Sequence, residues 1–481
     1  MAVKINNSLN NKKEEFKPIN SNKVKMYDCG VTVYDHCHIG HARSLYIFEI
    51  IRRYLKYKGF DVEFVRNITD VDDKIINKAR EWAKEQNISL KEAFDSVRNF
   101  YIDDYYQDLA GMRIPPADIE PKATENINEI IKYISDLREK GFAYEKEGNV
   151  YFSPKKVPGY GELSGNSLEE VLESVRIDSD PFKQDPVDFA LWKTAKRDEP
   201  CWESPWGKGR PGWHIECSVM SQKYLKTDTL DIHGGGRDLI FPHHENERAQ
   251  SEALTGKPFA NYWIHHGLLT INGQKMSKSL GNFVTIKGFL NNYRDPDLLK
   301  LFFLSAHYAH SIDFSESKIE TVKKQKKSFY DFFDRVDNRY YLESKKIQAE
   351  NFKKDKSKID TLCDKFEQAM DDDFNTARAL GCLFELVDLG SKFTSSDKTE
   401  ASNYVNEKLS IFFDILCLKR KVKQQISQEI VSLINQRNEA RVQKDFKKAD
   451  KIRAEIEMNS AYFLSDSANA VSLISKELSL D

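Results

Sequence analysis

The segment Cys29-Gly30-Val31-Thr32-Val33-Tyr34-Asp35-His36-Cys37-His38-Ile39-Gly40-His41 lies between an apolar run at residues 24–27 and a helical pattern at about 42–57. In that pattern Leu45, Ile47, Phe48, Ile51 and Leu55 recur at helical spacing. The segment therefore predicts a strand, a turn and a helix entrance that carries two histidines and a glycine. A helix entrance presents unpaired backbone N–H groups and the positive end of the macrodipole, which suits phosphate. His38 and His41 add side-chain donors, and Gly40 lets a ligand approach the backbone. A nucleoside triphosphate would fit such an entrance; a lone His-x-x-His would serve equally as a cap beside a surface residue.

Outward from this segment, residues 61–68 are rich in β-branched and apolar side chains and predict a second strand. Strand, helix and strand in this order make a βαβ unit with a parallel sheet. Thr69-Asp70-Val71-Asp72-Asp73-Lys74 follows at the carboxyl end of the second strand, where open parallel sheets bind ligands. Thr69 either touches substrate there or, with Asp70, caps a helix that starts near Asp72. Helical patterns follow at 90–118 and 124–140, and hairpin and turn signals at 141–192 mark an insertion between two halves of the fold. A strand at 229–233 leads into Gly234-Gly235-Gly236-Arg237-Asp238, where three glycines let backbone and ligand come close or form only a flexible turn.

Phe241-Pro242-His243-His244-Glu245-Asn246-Glu247 opens a helix on which His243 and Glu247 share a face, a spacing that lets both reach one metal. A strand at 262–269 then leads through Asn272-Gly273 to Lys275-Met276-Ser277-Lys278-Ser279. Long helical patterns fill 295–416, interrupted by a lysine-rich polar connector at 346–358. A last helical unit covers about 424–453.

A chain of 481 residues is too long for one core and predicts roughly three or more domains. At 40% hydrophobic and 31% charged residues the composition is ordinary for a soluble protein. The apolar runs are too short to span a bilayer and residues 1–11 are polar, so a cytoplasmic location without membrane contact is expected. A net charge of −2 neither announces nor excludes a nucleic-acid partner, which needs a local basic face rather than a basic protein. Basic clusters at 323–327, 419–423 and 437–453 could form such a face or be solvated helix surfaces. The seven cysteines (Cys29, Cys37, Cys201, Cys217, Cys363, Cys382, Cys417) are scattered and lack a CxxC pair. That pattern argues for free thiols, core packing or metal ligation rather than a disulfide frame.

His38-Ile39-Gly40-His41 and Lys275-Met276-Ser277-Lys278-Ser279 together resemble the paired signatures of the class I aminoacyl-tRNA synthetases. Further blocks narrow the resemblance to the bacterial type of cysteinyl-tRNA synthetases, over residues 25–453. They are the Cys29 to Asp35 start, Arg66-Asn67-Ile68-Thr69-Asp70, Gly209-Arg210-Pro211-Gly212-Trp213-His214-Ile215-Glu216-Cys217, His233-Gly234-Gly235-Gly236 and Pro242 to Glu247.

This resemblance implies an α/β fold with a Rossmann-type parallel-sheet catalytic domain split by an insertion, then an all-helical bundle and a small C-terminal anticodon-binding domain. The expected boundaries are 1–117 and 201–268 for the catalytic halves, 118–200 for the connective insertion and 269–318 for the signature-loop and stem-contact region. The bundle is expected at 319–416 and the C-terminal domain at 417–481. In the family, residues matching Cys29, Cys217, His243 and Glu247 hold one zinc that binds the thiolate of substrate cysteine, and those matching Thr69 and Trp213 line the pocket. Gly30, Thr32 and His233 are expected to join them in binding the amino acid. His38, His41, Lys275 and Lys278 would act on the phosphates of ATP and its Mg²⁺, with Gly40, Gly235, Asp238 and Ser277 also contacting the nucleotide.

The activity implied is ligation of L-cysteine to a cysteine-accepting tRNA by way of cysteinyl-adenylate, in a monomer. An apolar pocket rejects a near-isosteric serine poorly, whereas a metal prefers thiolate strongly over neutral hydroxyl. The tail after Ile456 departs from the family pattern, lacking the Gly-containing, tryptophan-ended segment common in bacterial members. One rival is the cysteine ligase of mycothiol synthesis, a family without a full anticodon-binding end. Another is a non-catalytic tRNA-binding paralogue, which would be expected to have lost a signature histidine or lysine; none is lost here.

Overall fold

The structure, a computed structural model, describes residues 2–166, 170, 180–276, 281–341, 352–421, 423, 425–467 and 469–476. It divides into two compact units, residues 2–292 with 308–313 and residues 293–307 with 314–481.

The first unit is built on four parallel strands: β1 (Lys23–Asp28), β2 (Asp61–Arg66), β3 (Leu230–Gly236) and β4 (Ala260–His266). Val24, Met26, Tyr27, Val62, Phe64 and Val65 are all buried, as strands covered on both faces require. The strand order is β4-β3-β1-β2, and every neighbouring pair is parallel. Three helices matter for the site: α1 (Ile39–Tyr57), α2 (Trp213–Leu225) and α3 (Glu245–Thr255). From the central pair the chain winds outward in opposite directions, through α1 to β2 and through α3 to β4. The carboxyl ends of β1 and β3 therefore form the topological switch point, where open sheets bind their ligands.

The periodicity of residues 42–57 holds, and α1 begins three residues earlier because His38 caps it. Residues 213–225 gave no helical signal because α2 is surrounded: Ile215, Val219, Met220 and Leu225 are buried, but so are Glu216, Ser218 and Ser221, which erases any apolar stripe. The three glycines, expected to follow a strand and let a ligand come close, instead lie within β3, opposite Ile264, His265 and His266. A Cβ on Gly234 would stand 2.1 Å from the Phe48 ring and one on Gly235 2.7 Å from His244 Cε1. The bare backbone there admits α1 and His244.

Between β2 and β3 the chain adds the helix Ile127–Glu139 and an antiparallel sheet of Ala143–Lys146, Asn149–Phe152, Phe189–Thr194 and Gly209–Pro211, in that order. This insertion shares its core with α2 and α3: Ile130, Ile134, Phe152 and Trp192 pack in one cluster with Ile215, Val219 and Ala249.

In the second unit the helices Pro296–Leu304, Glu316–Asp337, Phe352–Asp371, Thr376–Ser395 and Thr399–Ile415 form a bundle around stacked rings such as Phe366 on Phe412. The stretch 346–358, expected to be a connector, is helical from Phe352, whose ring packs edge-on against Tyr404; residues 342–351 lie outside the described set. The final unit was expected to be helical and ends differently. After the helices Gln428–Val442 and Phe446–Asn459, the divergent tail forms a hairpin of Tyr462–Asp466 and Ala470–Ser475, joined by Arg339–Tyr341 in one sheet. Tyr462 and Leu464 face in while Phe463 faces out, the period-two alternation of a half-buried strand. Among the described residues no helix is long and apolar enough to cross a membrane.

Candidate active site and metal centre

The entrance of α1 is closed by its own histidines. His38, the N-cap, accepts the His41 N–H at Nδ1 over 3.2 Å, and His41 Nδ1 accepts the His38 N–H over 3.3 Å, a reciprocal capping box. The two rings stack with centroids 3.7 Å apart. A ring whose Nδ1 accepts must carry its proton on Nε2, so both histidines offer Nε2–H as donors. Burial lowers the pKa of His38; burial and then the charges of His38 and Lys74 hold His41 well below the ordinary histidine value. Both rings are thus neutral donors at pH 7. Not all the backbone donors of this entrance remain for a ligand, since the Ile39 N–H is spent on the Val284 carbonyl and that of His41 on His38. Gly40 is required by the rings themselves: a Cβ there would lie 2.8 Å from His38 Cε1.

Above this entrance opens a cavity of about 410 Å³, within the size range of nucleotide pockets. Gly30, Thr32, His38, Gly40, His41, Trp213, Asp238 and Lys275 line it. Lys275 sits on a two-stranded ribbon, Leu269–Ile271 with Gln274–Lys275, whose Asn272-Gly273 turn has positive φ at both residues (50° and 78°). Ser277 and Lys278 lie outside the described residues. Two further features of the wall escaped sequence reading. Lys74 stands 5.1 Å over the Tyr34 ring, and Arg66 Nε donates to Asp28 Oδ2 over 2.9 Å in a buried pair at the ends of β2 and β1. Burial lifts the Asp28 carboxyl to about 6 against the pull of Arg66.

Beside the cavity, Cys29 after β1, Cys217 on α2, and His243 and Glu247 at α3 converge although Cys29 and Glu247 are 218 residues apart. The Cys29 thiol donates to Glu247 Oε1 over 3.2 Å; Cys217 Sγ lies 3.5 Å and Glu247 Oε1 2.8 Å from His243 Nε2. Tetrahedral zinc, with Zn–S of about 2.3 Å and Zn–N of about 2.0 Å, needs donor atoms roughly 3.3–3.8 Å apart. Two sulfurs, one imidazole and one carboxylate, all buried, fit a soft divalent metal. Burial alone would raise the Cys217 thiol, but hydrogen bonds from Cys29 and His243 bring it down to about 7. Against the effect of burial, the Glu247 carboxylate raises His243 to about 10, and Glu247 in turn is held well below the carboxylate range.

A second set, Cys29, His233, His244 and Glu247, overlaps the first. In it His233 Nε2 is committed to Glu247 Oε2, itself a member of the set, and His244 Nδ1 to His265 Nε2, both at 2.8 Å, which leaves His244 Nε2 buried without a partner. In the first set the commitments orient the ligands. His214 Nδ1 lies 3.0 Å from His243 Nδ1, which leaves His243 Nε2 facing Cys217 and Glu247, and His233 steadies the other oxygen of Glu247. His214 stood in a quoted block without a role; only the fold brings it against His243.

Of the residues expected at the amino-acid pocket, Gly30, Thr32 and Trp213 line the cavity, and Trp213 stacks on His243 with centroids 4.2 Å apart. Cys29 belongs to both the cavity wall and the metal set. Thr69 and His233 are fully buried behind the wall: Thr69 Oγ1 accepts from Asn67 Nδ2 over 3.1 Å, and the His233 ring stacks on Trp263. Neither Thr69 nor Asp70 caps the following helix. That helix, Asp73–Gln86, is capped by Asp72, which accepts the Lys74 N–H over 2.8 Å, while Asp70 accepts from Thr124. Gly236 rather than Gly235 reaches the cavity. All seven cysteines are free, six of them buried.

A family model described as tRNA synthetases class I (C) catalytic domain matches residues 15–324, and one described as DALR domain matches residues 365–418. A protein of Thermodesulfovibrio yellowstonii named Cysteine--tRNA ligase is 48% identical over 479 residues, covering 94% of this chain and 96% of its own. One of the same name from Geobacillus thermodenitrificans is 46% identical over 458 residues, covering 95% of each. The solved structure of Mycobacterium tuberculosis methionyl-tRNA synthetase in complex with methionyl-adenylate has a TM-score of 0.55 at 15% identity, covering 82% of this chain and 89% of that one, a likeness of fold.

Proposed function

Because this chain belongs to the cysteine–tRNA ligases of class I, we propose that its cavity and metal centre form one site in which ATP and L-cysteine are joined before transfer to tRNA. The chain is a ligase that activates cysteine with ATP and charges a cysteine-accepting tRNA. What supports the division of labour is that Cys29 and Trp213 are common to the two halves: each lines the cavity that carries His38, His41 and Lys275, and each touches the metal set.

Cys29, Cys217, His243 and Glu247 would hold zinc, which when bound would supply a Lewis acid that favours a thiolate over serine's neutral hydroxyl. Trp213, stacked on His243, walls that end of the cavity. The substrate carboxylate then attacks the α-phosphate of ATP, which arrives with Mg²⁺, and pyrophosphate leaves. His38 and His41 donate Nε2–H to the charge that grows on the phosphates, and Lys275 with Lys278 neutralises the leaving group. Catalysis is positioning and electrostatics, without a covalent nucleophile. Thr32 and Gly30 border the amino acid, Asp238 the nucleotide; Thr69 and His233 act from behind the wall. The bundle at 319–416 and the unit at 417–481 would hold the anticodon arm of the tRNA, in a monomeric enzyme of the cytoplasm.

Charging of a cysteine-accepting transcript with labelled cysteine and ATP, with serine in parallel, tests this reading. Cysteine should be transferred and serine should not. Persistent cysteine-dependent pyrophosphate exchange without any charging would keep activation and sink tRNA as the acceptor, bringing an amino-sugar ligase forward.

A further inference from the structure

Arg43 lies two residues beyond His41 on α1, and its side chain is buried to 1% exposure. Its guanidinium spans two separate backbone segments. Nη1 donates to the carbonyls of Gly267 (2.7 Å) and Leu268 (2.9 Å), and Nη2 to those of Tyr308 (3.0 Å) and His310 (2.6 Å). Among the described residues it has no carboxylate partner. Burial brings its pKa down to about 10, so the cation persists at pH 7, held by four carbonyl dipoles. Such a group is expensive to bury; here both Nη atoms are fully matched and only Nε lacks a partner, so the four bonds at the fork fix its geometry.

The segments it joins are not incidental. Gly267 and Leu268 carry the chain out of β4 into the ribbon that bears Lys275. Residues 308–313 run along the other edge of that ribbon, where Ile312 opens a third strand of the same sheet: the Gly267 N–H donates to the Tyr308 carbonyl, Ile312 N–H to Leu268, and Thr270 Oγ1 and the Gly273 N–H to Asp313 Oδ1. One planar fork on the histidine-bearing helix therefore grips the root of the lysine-bearing ribbon and the segment paired along its edge.

We propose that Arg43 is a positioning residue for the ligase reaction, its four-carbonyl clamp fixing the distance between the His38/His41 entrance and Lys275 so that both ends meet the same triphosphate. The inference rests on the site reading above. A lysine at 43 would keep the charge but cannot bridge two segments from one planar group. Misplacement of about 1 Å is enough to cost on the order of a hundredfold in rate.

The test measures single-turnover formation of cysteinyl-adenylate, equilibrium binding of labelled cysteine and metal content for Arg43→Lys, Lys275→Ala and the double variant. The expected result is a fall in rate of roughly ten- to a hundredfold for Arg43→Lys with a raised KM for ATP. Cysteine binding and metal should stay within about twofold, and Arg43→Lys should add little once Lys275 is gone, as coupled residues do. Thr270→Val, which loosens the same ribbon root, should reproduce the pattern more weakly and serves if Arg43→Lys does not fold. Overturning results are a wild-type rate for Arg43→Lys, parallel loss of cysteine binding and metal, or full additivity with Lys275→Ala. If Lys275→Ala itself keeps the wild-type rate, the site reading falls and the clamp with it; if Lys275→Ala is slow and Arg43→Lys is not, only the clamp falls.

Discussion

His214→Phe should weaken metal binding without disturbing the fold. The substitution keeps a ring against Trp213 and Phe189, each with centroids 5.3 Å away, and removes the two ring nitrogens, of which Nδ1 lies 3.0 Å from His243 Nδ1. For His243 to present the lone pair of Nε2 to a metal, its proton must sit on Nδ1, and His214 is the acceptor that keeps it there. Burial, followed by the His243 charge, holds His214 neutral and able to accept. The hydrogen bond from Gln250 to the His214 carbonyl is a backbone contact and survives. Loss of such an outer partner typically costs 10–100-fold in metal affinity, about 1.4–2.8 kcal/mol. A buried N–H left without an acceptor costs about 1–3 kcal/mol, which is the same loss seen from the protein side. Competition with a chromophoric chelator measures the affinity, and the melting temperature of the metal-free protein checks the packing. An affinity within twofold of wild type, at unchanged melting temperature, would refute the idea that His214 fixes the ligand's tautomer.

Cys217→Ser replaces a thiol poised near 7 with a hydroxyl that does not ionise, so bound metal should disappear from elemental analysis. The preference for cysteine over serine in pyrophosphate exchange should then drop to about a hundredfold or less; a much larger preference without metal contradicts the selective role. Lys421 is buried with its Nζ 2.6 Å from Asp334 Oδ2 and 2.7 Å from Ser475 Oγ, so Lys421→Met strands a buried carboxylate and should cost about 3–5 kcal/mol in urea unfolding followed by circular dichroism. Adding Asp334→Leu should recover most of that, and a single-variant loss below about 1 kcal/mol would count against it. Burial depresses His265 to about 3 and His266 to about 4 from 6.5, so the unfolded chain takes up their protons first. The stability they contribute is complete above pH 6.5 and is lost as pH falls toward those values. At pH 5 each should have given up about 2 kcal/mol, read as a falling melting temperature between pH 6.5 and 4.5; a flat profile would contradict it.

What the sequence disclosed followed from the kind of signal each element leaves. A strand, an unbroken helical period and a histidine pair were enough to locate β1, α1 and the end of the cavity that His38 and His41 line. The i, i+4 pair His243 and Glu247 announced half a metal site, but Cys29 and Cys217 join it only through the pairing of β1 with β3 and the docking of α2, which no local pattern records. α2 itself was silent because burial on every side removes the period. Gly234 to Gly236 read as room for a ligand beyond a strand end; at Gly234 and Gly235 the room is taken by Phe48 and His244, and only Gly236 lines the cavity. Thr69 and Asp70 were the cap candidates for a helix starting near Asp72; the cap is Asp72 itself, while the Thr69 N–H is bound to the Val31 carbonyl and Asp70 to Thr124. Arg43 resembled any helix-borne arginine until four carbonyls from distant segments met it.

The strand order has a consequence for how the chain is made. β1 lies between β2, which emerges from the ribosome soon after it, and β3, which begins about 200 residues later. At 5–20 residues per second, β1 waits roughly 10–40 s with one hydrogen-bonding edge open. During that time Cys29 has no partner thiol and the histidine-capped helix has half a sheet to rest on. The nascent first half of the protein is therefore exposed to aggregation at the β1 edge, with the Cys29 set incomplete, until residue 236 is free to close it.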